Sequence, residues 1–459
     1  MNPARRLLAV LLASSLVAGC SFDREEPATV TVPRMNTTTT TPDTIAPPPP
    51  EVEPLEPAWW LQVGGPADES FAALSSIGAE LVAVGSITDT ATDAYVVAAT
   101  TSGELISTEQ DGTEADDRAT AVATDGATVL TCGTTDGEFG GPMGGDTDIW
   151  CAPLTDEWQI GEVRQLGGPG REQLSGLTMA EGITHGYGSG TAGVAAPGDA
   201  DALALQLDAD GSPQWARQFG TLDVDTSTAV TMSEDGDGVF VGTTEGPLEG
   251  SSFGGQDAWI SRFDRSGSQR WTTQIGSEGS DGFNAVVPLG EARRGTEQYV
   301  AVGSTDGDLD AEGPSAPTGG LDVAIASFGP AGDLEWVNQF GSEEDDRAAA
   351  VAVDGTTVYV AGSTAGDVGD LLDELGPGGG TDGFLAAVDA ISGEVLWVSR
   401  FGSEGDDLVT AATTTADGLL VLAGTTTGSI GDAESGGGSD GFLIAFPLDA
   451  SAGSAARDV

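Results

Sequence analysis

The chain of 459 residues contains no lysine; all 16 basic residues are arginine, against 73 Asp and Glu, for a formal net charge of −57. So little positive charge excludes the phosphate-tracking basic groove that nucleic-acid binding requires. Histidine occurs once, at His185, and cysteine three times, which leaves almost nothing from which to assemble a zinc, iron or haem centre. Aromatic residues are sparse, at 6%. The apolar run near the start, Leu7 to Val17, has 11 residues, too few to span a hydrocarbon core of roughly 30 Å. What the chain does have is glycine: 69 residues, about twice the usual share of roughly 7%, which argues for many tight turns rather than long helices. A hydrophobic content of 39% is enough to bury a core.

Residues 1–20 place Arg5 and Arg6 ahead of that apolar run and end on small residues before Cys20, the pattern of a secretory signal. The segment Leu16-Val17-Ala18-Gly19-Cys20 resembles the lipobox of bacterial lipoproteins, which implies cleavage before Cys20 and acylation of its sulfur. The mature chain then carries 14 basic and 73 acidic residues, a formal −59, and its acyl chains hold it at a bilayer surface without spanning it. From residue 20 to 58 the composition shifts to Thr, Pro and Glu, including Thr37 to Thr41 and Pro47 to Pro50, too poor in large apolar residues to fold alone. Some 37 such residues at roughly 3.1 Å each form a tether reaching about 100 Å.

Beyond the tether the chain is periodic. A glycine closes the words WARQFG, WTTQIG, WVNQFG and WVSRFG, and the corresponding anchors are Gly64, Gly112, Gly167, Gly220, Gly276, Gly341 and Gly402, spaced 48 to 65 residues apart. Seven units of about 56 residues suit a small multi-stranded module. Trp stands five residues before the anchor in five units (Trp59, Trp215, Trp271, Trp336, Trp397), with Ser107 and Glu162 in the other two; packing between units is the expectation, carbohydrate stacking the alternative. The sixth unit shows four strand-like runs, Ala348 to Val353, Thr357 to Gly362, Gly383 to Val388 and Val395 to Phe401, here called strands a to d, with short turns at Asp354-Gly355 and Ser392-Gly393. Strand c follows an Asp in every unit (Asp93, Asp148, Asp201, Asp257, Asp322, Asp382, Asp440), a position suited to an Asx-type cap.

The seventh unit lacks a d word, while Trp59 to Gly64 stands alone at the start of the folded part. The expectation is therefore an all-β, seven-bladed β-propeller over residues 59–449, built from four-stranded antiparallel blades and closed by the N-terminal word, with a disordered tail at 450–459. The units resemble the bacterial seven-bladed β-propeller repeat (SBBP), whose pattern is reproduced by Asp257-Ala258, Phe263-Asp264, Gly267, Trp271 and Gly276. A weaker likeness, in Ser392-Gly393-Glu394-Val395-Leu396-Trp397, is to quinoprotein propellers, but no cofactor-contacting residues carry over.

An acid follows each anchor glycine by five residues: Glu69, Asp117, Glu172, Asp225, Asp281, Asp346 and Asp407, doubled by Asp116, Asp345 and Asp406. These carboxylates are expected to ring the channel mouth. Two readings stand side by side. In one, Asp117, Asp281, Asp346 and Asp407 bind a hard cation such as Ca2+; in the other, each acid caps its own turn. His185 is expected to be buried or turn-side, which leaves no convincing catalytic constellation. Cys132 and Cys151 fall on neighbouring strands, as a disulfide or as two buried thiols. The function expected is non-catalytic. It is that of a monomeric lipoprotein on the bacterial cell membrane or outer membrane, binding an envelope protein, a glycan or a divalent cation. The alternatives are a calcium-dependent hydrolase or lyase and an envelope-assembly scaffold.

Overall fold

Short runs of Val, Ile, Ala and Thr between glycine turns bury most of both faces of the middle strands, b and c, and this produces stacked small sheets rather than one large one. The computed structural model describes residues 53–448 apart from 191–200, 249, 251, 291–296, 310–318, 373–374, 377 and 434. The signal, Cys20, most of the tether and the tail at 450–459 lie outside the described residues. The described chain forms seven sheets whose four main strands are antiparallel. Their a strands are Asp68–Ile77, Asp117–Thr124, Glu172–Ala180, Asp225–Met232, Asp281–Leu289, Asp346–Asp354 and Asp407–Thr414. Each a strand lies against the next, and that of blade 7 returns to that of blade 1, so the a strands form the inner wall of a closed ring.

Closure follows the expected route. The first strand, Trp59–Val63, pairs antiparallel with Asp440–Pro447 in the register Trp59↔Ala445, Leu61↔Leu443, Val63↔Gly441, and supplies the missing strand d of blade 7. Leu55, inside the segment expected as tether, is buried among Leu372, Leu375, Trp397 and Ile430, so the packed part begins a few residues ahead of position 59. Blade 6 matches the expected strands to within about two residues at each end. It adds a fifth strand, Asp370–Leu371, which pairs in parallel with the outer edge of Val395–Phe401. That segment covers an edge that would otherwise be open. In the same blade Gly355 turns strand a into strand b at φ +58°, a conformation that favours glycine.

The Trp residues pack as core. Four of the five lie beneath the c–d turn of the following blade, against a glycine there: Trp59 on Gly103, Trp215 on Gly267, Trp271 on Gly332 and Trp336 on Gly393; Trp397, whose following blade has no c–d turn, packs in one cluster with Leu55 instead. In three of them Nε1–H donates to a carbonyl of that turn, Thr101, Arg265 and Pro330 respectively. The two units without this Trp compensate in different ways. Opposite Ser107, the c–d link of blade 2 brings its own Trp158 into the space between blades 1 and 2, where it is buried at φ +64°. Opposite Glu162, Gly211 of blade 3 closes on the Cβ of Cys151, whose sulfur lies 2.10 Å from that of its cross-strand partner Cys132. The disulfide thus belongs to the packing between blades 2 and 3.

Candidate functional site

In all seven a strands the pairing with strand b slips by one residue at the same place, between the third and fifth residues counted from the anchor-linked acid. A bulge bends the strand and re-aims the extra residue. Here those residues bind neighbouring blades together. Thr120 Oγ1 donates to Leu174 O, Thr228 Oγ1 to Phe283 O, Thr410 Oγ1 to Phe71 O, and Asn284 Nδ2 to Ala348 O. Between blades 3 and 7 lies a cavity of about 860 Å³, walled by such short polar side chains, by Arg347 and by apolar residues such as Leu408 and Val409. Arg347 pairs with Asp345 at 2.9 Å, and Arg118 pairs with Asp116 at 3.0 Å in the same structural position of blade 2.

The expected crown of carboxylates at the channel mouth does not form. Asp117, Asp281, Asp346 and Asp407 are each fully buried, and the residues that follow them, among them Arg118, Arg347 and Leu408, face outward instead. The reason is strand alternation: the acid is the first residue of strand a, and its successor, pointing the opposite way, takes the exposed side. Each acid caps its own link. Asp117 accepts from Thr113, Asp225 from Thr221, Asp281 from Ser277, Asp346 from Ser342 and Asp407 from Ser403. Both the backbone N–H (2.5–2.6 Å) and the side-chain hydroxyl of the donor residue take part. All five hydroxyls accept in turn from the N–H two residues on, at Ala115, Asp223, Gly279, Glu344 and Gly405.

Blades 1 and 3 show why the acid and its donor change together. There the acid is Glu, one methylene longer, and the donor residue is Gly65 or Gly168, with only an N–H to offer. A Cβ on Gly65 would lie 3.3 Å from Glu69 Oε1. Glu69→Asp alone is expected to lose its cap, at about 1 kcal/mol, and Gly65→Ser alone to crowd Glu69, whereas the double variant restores the arrangement of the other blades. Denaturation of the three variants checks this; additive losses would contradict the cap.

The Asp at the start of strand c is also a cap, buried in every blade but the first, and its partner is the Gln of the d word. Gln62 Nε2 donates to Asp440 (2.6 Å), Gln110 to Asp93 (2.7 Å), Gln165 to Asp148 (2.8 Å), Gln218 to Asp201 (2.9 Å), Gln274 to Asp257 (2.7 Å) and Gln339 to Asp322 (3.3 Å). In blade 6 Arg400 takes the Gln position and pairs with Asp382 at 3.0 Å. The Gln was visible in six of the seven words, but only the fold reveals what it touches. Two carboxylates therefore flank each anchor glycine: the c-strand Asp of one blade and the a-strand acid of the next. Burial, helped by the partner carboxylate, pushes up the carboxyls of Glu69 (beside Asp440), Glu172 (beside Asp148) and Asp201 (beside Asp225). Burial also raises Asp281, Asp382 and Asp407 against their hydrogen bonds.

His185 is fully buried, its Nε2 is 3.1 Å from Gly236 O, and it packs on Trp215 and Phe240. Burial lowers its pKa. It is a core residue, away from the channel. Among the described residues no three His, Cys, Asp or Glu side chains converge as a metal-binding group.

No family model matches the chain. A curated relative, the regulatory protein FlaEY of Caulobacter vibrioides, is 26% identical over 271 residues. The match takes in 53% of this chain and 28% of that protein, so the chain spans well under a third of that relative. Among solved structures, the Drosophila Plexin A–Semaphorin 1b complex aligns with a TM-score of 0.47 at 11% identity, covering 86% of this chain and 88% of that one. YCF48 bound to D1 peptide aligns with a TM-score of 0.42 at 11% identity, covering 86% and 98%. At such scores these likenesses carry no functional argument; the propeller is established by the chain's own sheets.

Proposed function

We propose that the protein is a lipid-anchored binding propeller of the bacterial envelope, tethered through acylated Cys20 and engaging an envelope protein or glycan at the channel cavity. The observation that carries the binding reading is that cavity. Its walls mix short hydroxyl side chains and Asn284 with Tyr187, Leu408, Val409 and alanines, and they include one ion pair, Asp345–Arg347. Such surfaces hold polar ligands through a few well-placed groups without chemistry of their own. The anchoring reading rests on the lipobox-like residues before Cys20, and the repeat remains a resemblance to the SBBP pattern. The name of the relative FlaEY, a regulatory protein, agrees with a role in binding rather than turnover.

Expression of the full chain in bacteria fed labelled palmitate should label the wild type and not Cys20→Ser, which should leave the membrane fraction. Label retained by Cys20→Ser would overturn the anchor. For the cavity, cross-linking in intact envelopes should capture a partner with the wild type and lose it with Arg347→Ala plus Asn284→Ala. Equal capture by both would place binding elsewhere on the ring.

A further inference from the structure

Seven copies of one blade give the chain its own internal controls. The strand a residue just after the bulge pairs with the strand b residue just before its conserved-position Gly, and in six blades Ala stands there opposite Val, Cys or Ala, as in Ala229↔Val241. Blade 3 alone changes both residues, to Gly176↔Tyr187. The two changes belong together. A Cβ on Gly176 would lie 2.3 Å from Tyr187 Oη, so the glycine lets the phenol pass over strand a to the cavity wall.

The seam that Tyr187 enters departs from the repeat a second time. The third residue of strand a packs toward the preceding blade, and in six blades it is a buried apolar residue: Phe71, Ala119, Leu174, Phe283, Ala348 or Val409. In blade 4 it is Ser227, which is 4% exposed, lines the cavity and has no hydrogen-bond partner for its Oγ. Tyr187 packs against blade 4, and among the described residues nothing hydrogen-bonds its hydroxyl either. Volume explains why a large residue faces a small one. It does not explain two unpaired hydroxyls where the other six seams are apolar, because a buried hydroxyl without a partner is costly and Phe with Ala would fill the same space.

We propose that the cavity binds an uncharged sugar, with the Tyr187 and Ser227 hydroxyls forming a polar subsite at the seam of blades 3 and 4. The proposal deepens the cavity-binding reading above and rests on it. Nine of the seventeen residues that line the cavity carry hydroxyls, which donate and accept at once and so match those of a sugar. Leu408, Val409 and the alanines offer apolar contacts to its C–H groups. An anionic ligand would meet one guanidinium, that of Arg347, already paired with Asp345 in a chain of net charge −57. A cationic ligand would find the same carboxylate taken. The volume of about 860 Å³ lies within the roughly 300–1,000 Å³ usual for small-ligand sites. Burial raises the pKa of Tyr187, so its hydroxyl keeps its proton and can donate.

The test is calorimetric titration of the full chain with three neutral oligosaccharides: N-acetylated chitotriose, cellotriose and maltotriose. At least one should bind, and Tyr187→Phe, which keeps the volume, should weaken that binding about tenfold without moving the thermal midpoint. Ser227→Ala should act in the same direction, whereas Tyr95→Phe, outside the cavity, should not. Gly176→Ala with Tyr187→Val copies the pair found in blade 4 and should lose binding while remaining folded. A wild type that binds none of the three sugars overturns the proposal; if it still captures an envelope protein through the cavity, the binding reading survives without the sugar. Binding that Tyr187→Phe leaves intact, but that Arg347→Ala plus Asn284→Ala destroys, overturns the subsite and leaves the cavity. Weaker binding by Tyr187→Phe together with a lowered midpoint would mark the hydroxyl as structural and overturn it as well. Binding untouched by every variant would overturn both readings.

Discussion

Gly402→Ala should be a damaging single-methyl addition. A Cβ at this position would lie 2.4 Å from Asp382 Oδ1 and 2.8 Å from Asp407 Oδ2, both side chains being buried. Neither can retreat without losing its partners: Asp382 is held by Arg400 and Gly379 N–H, Asp407 by Ser403. Overpacking alone costs about 1–3 kcal/mol, and breaking a buried charged hydrogen bond adds about as much again, so a loss of about 3 kcal/mol or more is expected. Gly290→Ala is the control, since nothing lies within 4 Å of a Cβ there; it should stay within about 0.5 kcal/mol of the wild type. Chemical denaturation of both variants reads the difference. Equal, small effects would show that the anchor glycines are turn residues only and that the paired carboxylates do not constrain them.

Mild acid should stabilise the fold. The carboxyls of Glu69, Glu172, Asp201, Asp281, Asp382 and Asp407 have folded pKa values raised by burial. The folded state therefore binds protons that the unfolded chain still lacks. Their contribution is fully present below the unfolded pKa of about 4 and is lost as pH rises through the folded values. Exposed carboxyls run the other way. Asp116, held down by Arg118, and Asp345, held down by Leu321 N–H and Arg347, contribute stability that is present above about pH 4 and lost below it. His185, lowered by burial, likewise costs stability once it is forced to take a proton. Relief of self-repulsion in a chain of net charge −57 adds to the first effect. The thermal midpoint should climb from pH 7.5 to about 5 and fall again below about 4. A midpoint that falls steadily from pH 7.5 downward would mean that the buried pairs are fully ionised and satisfied at neutral pH.

The ring and its closure were legible because they depend on counting: seven anchor glycines, and one d word displaced to the start. The Trp address was legible as core for the same reason. Side-chain direction at strand ends was not. The acids at the d–a links were found, but their side chains turn into the junctions, because strand a begins on the acid itself rather than a residue later. The bulge had no residue signature to detect, since its position holds Ala72, Thr120, Ser175, Thr228, Asn284, Ala349 and Thr410 in the seven blades. Trp158 stands in for a Trp missing from another blade and does so from a left-handed backbone conformation, a substitution visible only once blades 1 and 2 are packed together.

The circular arrangement rests on one pairing, between chain segments some 380 residues apart, in the register Leu61↔Leu443. Cysteines placed at these two positions should join under mild oxidation into a cross-link between the first strand and the last, identified by mass spectrometry of the digested full chain. The offset pair, Leu61→Cys with Ile444→Cys, points to opposite faces of the sheet and should stay reduced. Efficient cross-linking of the offset pair, or none of the matched one, would contradict the closed ring and the junction chemistry built on it.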